Sequence, residues 1–341
     1  MKRSRTVTID EVARYAGVSS ATISRALNNP SAVKPSTQAK ISAAIAKLGY
    51  MPNASARALM LGRSETVGAV VPTLDNAIFA KGLEQLQASM AQAGFQLIVA
   101  SCNYDPLVEE QQIKNLLLRG VEAIALFGAS QTSSAIRLLH NRNVPCIHLG
   151  TLSPPGKGYA CGFDNKAAIQ QGVSHLLGLG HRRFGMLAGI THNNDRATQR
   201  VDGARELLQA NGIALPAEQI EEVAYDVAAA RLGFTRLIER NPNITALICG
   251  QDVIAYGAIL QAQHRGLRVP AELSVIGFDD LELSQHITPA LTTIRYDAND
   301  MWSKAADSLL TRIQGERAPV RLIPSETTLV VRDSTAAPRP A

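Results

Sequence analysis

The sequence predicts an N-terminal all-α helix-turn-helix bundle with a hinge helix, followed by an α/β body of two parallel-sheet subdomains. Charge and hydrophobic pattern both predict this division. The 341 residues carry a formal net charge of +5, but residues 1–62 alone carry +7, so the rest of the chain is slightly acidic. Only helical patterns occur before residue 62, whereas short apolar runs alternate with amphipathic stretches after residue 64.

The segment from Thr8 to Asn28 has the pattern of two short helices joined by a tight turn. Thr8 and Glu11 have the spacing of a capping box, Gly17 is placed to end the first helix, and Ser19 suits the N-cap of the second. An ordinary helical hairpin with a solvated face is the alternative. The excess positive charge instead favours a module that binds DNA phosphates.

Two further helices are predicted before the body. The first runs from Pro35 to a closing Gly49 and completes a three-helix bundle. The second, between Pro52 and Gly62, has good helix formers but is shorter than the roughly 12 residues that an isolated helix needs in water. We therefore expect this hinge segment to fold only when a partner holds it.

The body contains short apolar runs separated by amphipathic helical stretches such as Ala80 to Ala93 and Glu109 to Arg119. This alternation predicts parallel sheets covered on both faces, whose ligands bind beyond the carboxyl ends of the strands. The predicted strands are Val67 to Val71, Leu97 to Ala100, Ala123 to Phe127, Cys146 to Leu149, Phe184 to Leu187, Ala246 to Cys249 and Ser274 to Phe278.

Side chains that follow these runs, with two arginines of a later helix, suit a polyhydroxylated ligand. Carboxylates, amides and guanidiniums fork hydrogen bonds to adjacent hydroxyls, and aromatic rings cover the C–H faces of sugars. Core packing is the alternative for both phenylalanines, a helix N-cap is the alternative for Asp252, and Asp280 is expected in a turn. The candidates are Asp75, Phe79, Phe127, Arg196, Arg200, Gln251 and Asp279.

Arg196 and Arg200 lie one helical turn apart, so both guanidiniums are expected on one face. Two such groups without a counter-charge would favour an anionic effector, a sugar acid or sugar phosphate, over a neutral sugar. The sequence is compatible with either kind of effector.

Several protein classes are not supported by the sequence. Four isolated cysteines, at 102, 146, 161 and 249, predict neither a disulfide nor a metal site, and no cofactor is expected. No phosphate-binding loop, nucleophile elbow or dinucleotide fingerprint occurs, which argues against an enzyme. The absence of a long apolar run and of a secretory leader predicts a cytoplasmic protein.

Residues 12–28 follow the pattern V-A-x-x-A-G-V-S-x-x-T-I-S-R-x-L-N, and residues 53–59 follow N-x-x-A-x-x-L. The chain resembles the LacI/GalR family of transcriptional regulators through about residue 332. That resemblance implies base contacts by Ser20, Ala21 and Arg25. We expect the phosphate contacts to come from Thr8, Ser19, Thr22, Ser24 and Asn28.

The resemblance also implies a hinge helix that orders on operator DNA. It contains Asn53, Ala56, Arg57 and Leu59, and Leu59 is expected to wedge into the minor groove. A linker leucine or a lid on the body is the alternative for Leu59.

In the body, the resemblance implies a periplasmic-binding-protein-like core in which Arg200, Tyr225 and Asp279 contact the effector. The sequence departs from the family at Gln251, where asparagine is common, and at Trp302, where glycine is usual. The expected domains are 1–51 for the helix-turn-helix domain, 52–64 for the hinge and 65–333 for the core. An N-subdomain of about 65–162 and 293–321 and a C-subdomain of about 163–292 and 322–333 form this core, and 334–341 is expected to be a flexible tail.

The predicted protein is a DNA-binding transcriptional regulator, a repressor whose operator affinity a small polar effector controls. The expected partners are double-stranded operator DNA, a sugar-like small molecule and a second copy of the chain in a homodimer. A sugar-binding transport receptor without regulatory DNA binding is the alternative. Whether the effector induces or corepresses is left open by the sequence.

Overall fold

The computed structural model describes residues 7–52, 62–156, 158–316 and 321–339. It divides into two compact units, Met1–Ser64 and Glu65–Ala341. The predicted hinge residues Asn53, Ala56, Arg57 and Leu59 lie outside the described residues.

The first unit contains α1 (Ile9–Ala16), α2 (Ser20–Asn28) and α3 (Pro35–Leu48). The predicted Thr8–Glu11 capping box starts α1, and left-handed glycines end two of the helices, Gly17 at φ 68° and Gly49 at φ 62°. A small shared core holds the bundle together, formed by Val12, Ala13, Ile23, Ala26, Ile41 and Ala44.

The strands of the second unit include the seven predicted ones, each within two residues at either end. The strands are β1 (Thr66–Val71), β2 (Gln96–Ser101), β3 (Ala123–Phe127), β4 (Cys146–Leu149), β5 (Tyr159–Gly162), β6 (Phe184–Gly189), β7 (Ile220–Val223), β8 (Ala246–Cys249), β9 (Ser274–Phe278), β10 (Thr292–Tyr296), β11 (Leu322–Pro324) and β12 (Thr327–Val330).

Eight α-helices are described between these strands. They are α4 (Ala77–Gln92), α5 (Pro106–Leu118), α6 (Ser133–Asn141), α7 (Asn165–Gly178), α8 (Asp195–Ala210), α9 (Val227–Arg240), α10 (Asp252–His264) and α11 (Ala298–Ile313).

Two six-stranded sheets organise the second unit. The first has the order β11-β5-β4-β3-β1-β2 and is parallel throughout. The second has the order β12-β10-β9-β8-β6-β7 and is parallel except for β12, which runs antiparallel to β10. Helices α4 and α11 pack together beside the first sheet, and the pairs α7–α8 and α9–α10 pack beside the second. The predicted α/β architecture is confirmed.

The chain crosses between the two sheets later than the sequence predicted. Thr292–Tyr296 pairs with β9 in the second sheet, so the crossing expected near residue 292 follows Tyr296. Leu322–Pro324 pairs with β5 in the first sheet, so the crossing expected near residue 322 follows Pro324. Both segments are edge or near-edge strands too short to give a clear hydrophobic pattern.

The predicted flexible tail is a further correction, because residues 334–339 dock on the second sheet. Ser334 is fully buried, its hydroxyl donates to the Val275 carbonyl at 2.6 Å, and the Thr292 amide donates to that hydroxyl at 2.8 Å. The Val275 amide donates to the Ser334 carbonyl at 2.8 Å. The prolines that exclude a helix here leave an extended backbone free to make these bonds.

Within the described ranges, no helix combines the length and apolar content needed to cross a bilayer. The same residues contain no group of three His, Cys, Asp or Glu side chains arranged to hold a metal ion.

Candidate functional site

The exposed face of α2 is the candidate nucleic-acid interface of the first unit. Ala21 and Arg25 are exposed on it, four residues apart and therefore on one side of the helix. Within the part of the chain that the structure describes, no acidic group pairs with Arg25. Its five donors are thus free to bind the edge of a base or a phosphate.

Ser20, the third predicted base contact, has a partner within the protein. Its hydroxyl donates to the Asp10 carboxylate at 2.5 Å and so ties α2 to α1. The hydroxyl oxygen keeps its acceptor capacity, which a base amino group can use.

Four of the five predicted phosphate-contacting residues lie on α2 or at its start, Thr8 caps α1, and all five make local hydrogen bonds. Thr8 accepts from the Glu11 amide at 3.3 Å, and Ser19 caps α2 by accepting from the Thr22 amide at 3.2 Å. Asn28 donates to the Ser24 hydroxyl at 3.4 Å. These bonds fix the side chains close to the helix ends, where exposed amides and hydroxyls suit phosphate oxygens.

The candidate effector site is a cleft between the carboxyl ends of the two sheets. Seven of the predicted residues line it: Phe79, Phe127, Arg196, Arg200, Tyr225, Gln251 and Asp279. The cleft is closed, with a volume of about 30 Å³. That is room for about one or two water molecules.

Asp75 is predicted to line the cleft but is not among its lining residues. Its side chain is exposed, while the neighbouring Asn76 is 6% exposed and donates to the Gln251 amide oxygen at 3.2 Å across the cleft. Asn76 also caps α4 by accepting from the Ile78 amide. The prediction of Asp75 was therefore one residue off, because the capping role points Asn76 inward.

Aromatic rings form one wall of the cleft. Phe79 and Phe127 meet edge to face at 4.7 Å, and Trp302 stacks behind Phe127 at 6.2 Å. Trp302 is 1% exposed and occupies the space over Gly82, where a Cβ atom would lie 2.0 Å from the indole nitrogen. Trp302 is thus packing that supports the wall, and its partner is the glycine on α4.

Tyr225 and Tyr104 form a second aromatic pair across the cleft. Their rings stack at 5.4 Å, and Asn194 donates to the Tyr225 hydroxyl at 2.8 Å. Tyr104 follows β2 and Tyr225 follows β7, so the pair spans both subdomains. Such rings suit the C–H faces of a sugar.

Arg200 is held rigidly in the second subdomain. Its Nε donates to Asn165 at 3.0 Å, one terminal nitrogen donates to the Gly250 carbonyl at 2.7 Å, and its guanidinium lies 3.6 Å above the ring of Phe278. Its direction is therefore set before any ligand arrives.

Arg196 reaches across the cleft to the first subdomain. Its guanidinium lies 4.7 Å from the ring of Phe127 and occupies the space beside Gly128, where a Cβ atom would lie 1.5 Å from a terminal nitrogen. The same guanidinium pairs with Asp195 at 2.8 Å. The premise of two guanidiniums without a counter-charge is therefore wrong, and it no longer supports an anionic effector.

Asp279 provides a buried acceptor without a partner. It follows β9 at φ 110°, is 5% exposed, and its Oδ2 accepts no hydrogen bond in the described residues. Burial raises the pKa of the Asp279 carboxyl to about 6, against the lowering effects of the Arg200 charge and a hydrogen bond from Gln251. The carboxylate is thus available at neutral pH to accept a hydroxyl of a ligand.

Asp252 organises the second subdomain without lining the cleft. It is the first residue of α10 and accepts from the Leu281 amide at 2.8 Å and from Ser284 and Thr293 at 2.6 Å and 2.5 Å. The N-cap is Gln251, so the N-cap interpretation of Asp252 is wrong. Asp280 follows β9 outside any regular element, at φ 50°, and pairs with two arginines of neighbouring segments.

Sequence reasoning missed four polar or aromatic residues of the cleft. Asn76 and Tyr104 follow strand ends, so the rule that found the others applied to them as well. Asn194 precedes α8, and Tyr296 lies in β10, which was taken for a crossing segment. The four lining or contacting residues are Asn76, Tyr104, Asn194 and Tyr296.

Comparisons with known proteins identify the family of both units of the chain. The description "Bacterial regulatory proteins, lacI family" matches residues 8–53, and "Periplasmic binding protein-like domain" matches residues 173–335. The HTH-type transcriptional regulator GntR of Pseudomonas aeruginosa is 32% identical over 332 residues, 96% of this chain and 95% of the relative.

Two further comparisons cover nearly the whole chain. The HTH-type transcriptional repressor CytR of Escherichia coli K12 is 28% identical over 98% of both chains. The crystal structure of the lac repressor dimer bound to operator and the anti-inducer ONPF superposes with a TM-score of 0.86 at 29% identity, over 98% of this chain and 100% of that one. This chain therefore belongs to the LacI family of bacterial transcriptional regulators.

Proposed function

We propose that this regulator binds a near-palindromic operator as a homodimer and represses transcription, and that a small polyhydroxylated effector in the cleft sets its operator affinity. The proposed base contacts are Ser20, Ala21 and Arg25, and the hinge residue Leu59 is proposed to enter the minor groove. A cytoplasmic location is part of this proposal, because a DNA-binding regulator acts on the chromosome. The relatives are transcriptional regulators, which supports the absence of catalytic activity.

The observation that carries the effector proposal is the unpartnered Oδ2 of Asp279 in a cleft walled by aromatic rings. A buried carboxylate oxygen without a hydrogen bond is costly, and a ligand hydroxyl would satisfy it. Arg200, fixed beside it, supplies a donor to a neighbouring ligand oxygen. A carboxylate and a guanidinium side by side suit adjacent hydroxyls of a sugar-like molecule.

Closure of the cleft supports the link between effector and operator. Contacts between the subdomains already exist in the closed form, including the Asn76–Gln251 and Tyr104–Tyr225 pairs. An effector shifts the balance of open and closed forms only by its different affinity for the two. In the lac repressor structure an anti-inducer and the operator are bound to one dimer, and we extend this two-ligand arrangement to the present chain.

Operator binding is tested by selecting sites from random double-stranded DNA and measuring affinity by fluorescence anisotropy. Arg25→Gln is expected to weaken binding to the selected site by about 1–3 kcal/mol and to make the protein less selective among sequences. Lys40→Gln removes the same charge from exposed α3 and serves as the control, with a uniform loss across sequences. Equal effects of both variants on every sequence would contradict base recognition by Arg25.

Effector control is tested on the selected operator complex. Neutral sugars, their aldonic acids and nucleosides are added to the full chain, with thermal shift and operator anisotropy as readouts. We expect one class to stabilise the protein and to change operator affinity. If none of them does either, the effector proposal fails while operator binding stands.

A further inference from the structure

A second cavity lies on the first subdomain, away from the effector cleft. This rear groove has a volume of about 910 Å³, within the range of small-molecule sites, and shares no lining residue with the cleft. It lies between one face of α6, the segment that follows β4, and the end of α11. Its lining includes Ile136, Arg137, Val144, His148, Tyr159, Arg312 and Arg321.

The groove is positively charged and its charges are not compensated. Among the residues that the structure describes, three arginines and two histidines line it and no Asp or Glu does. In the described part of the chain, Arg137, Arg312 and Arg321 form no ion pair. Burial lowers the pKa of Arg312, and no carboxylate is among the groups that oppose this effect. This lining suits an anionic group.

Tyr159 orders two of these arginines. The guanidinium of Arg312 lies 3.9 Å from its ring centre and that of Arg321 lies 5.8 Å from it. One terminal nitrogen of Arg312 also donates to the Cys146 carbonyl at 2.6 Å. Both cations thus lie near one ring, and each guanidinium has the planar fork that binds phosphate oxygens in pairs.

His148 adds an acceptor and connects the groove to the cleft. Its Nδ1 donates to the Gly128 carbonyl at 2.9 Å, so Nε2 is left as an acceptor, and burial lowers the pKa of the ring and keeps it neutral. The Cδ2 edge of the ring lies beside Gly158 in the groove. Gly128, at the other end of this bond, lies directly beneath the guanidinium of Arg196 in the cleft.

We propose that the rear groove is a second binding site, for a small phosphorylated metabolite, and that its occupancy influences closure of the effector cleft. The phosphate group binds between Arg137, Arg312 and Arg321. A hydroxyl of the ligand donates to His148, and its carbon skeleton lies on Ile136 and Val144. Coupling runs through the hydrogen bond from His148 to Gly128 and from there to the guanidinium of Arg196.

Calorimetry on the full-length protein tests the site with ribose 5-phosphate and glycerol 3-phosphate, and with ribose and inorganic phosphate as their parts. We expect at least one ester to bind with a Kd below about 1 mM and at least tenfold more tightly than inorganic phosphate. Failure of both esters to bind overturns the proposal. Equal affinity for inorganic phosphate also overturns it, because the groove would then bind the ion alone.

Variants assign the binding to the groove. Arg137→Gln with Arg321→Gln, both at exposed positions, is expected to weaken the ester at least tenfold. Arg119→Gln with Arg142→Gln removes the same charge from exposed positions outside the groove and is expected to leave binding within twofold. If the ester still binds the Arg137→Gln and Arg321→Gln double variant but no longer binds Asp279→Asn, it binds in the cleft, and the proposal is overturned.

Coupling has its own readout in the single tryptophan of the chain, Trp302, which stacks on Phe127 of the cleft wall. We expect the ester to change its emission in the wild type. In His148→Gln, which loses both a ligand contact and the bond to Gly128, we expect weaker ester binding and no change of emission even at saturating ester. An ester that binds the groove without altering the emission of the wild type overturns the coupling. Failure of sugar effectors in the cleft would leave the phosphate result intact, so the two proposals fail separately.

Discussion

Replacing Asp279 with asparagine is expected to stabilise the protein and to weaken its effector. The wild-type carboxylate is buried, and one of its oxygens has no partner. Asparagine keeps the shape and removes the charge. Binding sites are expected to contain residues that destabilise the free protein but stabilise its complex with the ligand.

The size of the stability effect follows from the pKa. For a carboxyl whose pKa rises from 3.8 to about 6, ionisation costs about 3 kcal/mol more in the folded state than in the unfolded state. Because the folded pKa is raised, the contribution to stability is complete below pH 3.8 and is lost as the pH rises through 6. The advantage of Asp279→Asn over the wild type should therefore grow by about 1.4 kcal/mol between pH 5 and pH 8.

The same substitution is expected to lower the affinity for the effector. A hydroxyl that donates to a charged acceptor contributes about 1.5–3 kcal/mol, so the variant should bind the effector about 10- to 100-fold more weakly. Affinity of the wild type should rise between pH 5 and pH 7 as the carboxyl of Asp279 ionises. The variant should show no such rise.

Urea unfolding followed by the emission of Trp302 measures the first effect, and calorimetry measures the second. Asp307→Asn, on an exposed position of α11, is the control and should change neither quantity. A variant that loses stability relative to the wild type as the pH rises, or that keeps full effector affinity, refutes the role assigned to Asp279.

Three further changes have defined outcomes. Gly82→Ala places a Cβ atom 2.0 Å from Trp302 and should cost about 1–3 kcal/mol in urea unfolding with a shift of its emission, whereas Gly178→Ala, with open space around it, should stabilise by about 0.4–1 kcal/mol. Asp195→Asn removes the counter-ion of the cleft arginine and should raise the affinity for an aldonic acid relative to its parent sugar about tenfold; an unchanged ratio in calorimetry would exclude contact between that guanidinium and the effector. Truncation after Asp333 leaves buried amide and carbonyl groups of β9 and β10 unpaired and should cost at least about 2 kcal/mol in unfolding, and no loss would show that the docked tail is not needed.

The sequence identified the elements whose signals are local. The capping box at Thr8 and the glycine at position 17 determine α1 through contacts three or four residues apart, so both were readable without a structure. The buried parallel strands were equally clear, because strands covered on both faces are nearly continuous apolar runs. Most of the cleft then followed from the rule that ligands bind at strand ends.

The sequence could not show properties that depend on distant partners. The pairing of Arg196 with its neighbour depends on a side-chain direction set by the glycine at 128, across the cleft. The docking of Ser334 depends on backbone groups about 40 and 60 residues away in two strands. Short edge strands such as β11 carry so few side chains that pairing, not pattern, decides which sheet they join.

The contacts across the cleft indicate that the free-energy difference between its closed and open forms is small. The contacts between the subdomains at the cleft are polar or aromatic and include the Asn76–Gln251 bond, the Tyr104–Tyr225 stack, the Ser130–Asp195 bond and the contact of Arg196 with Phe127. Each such contact contributes about 1 kcal/mol, so opening costs only a few kcal/mol. An effector with two or three good hydrogen bonds in one form alone has enough differential affinity to reverse that balance. The residues that make these contacts should therefore control the potency of the effector as strongly as those that touch it.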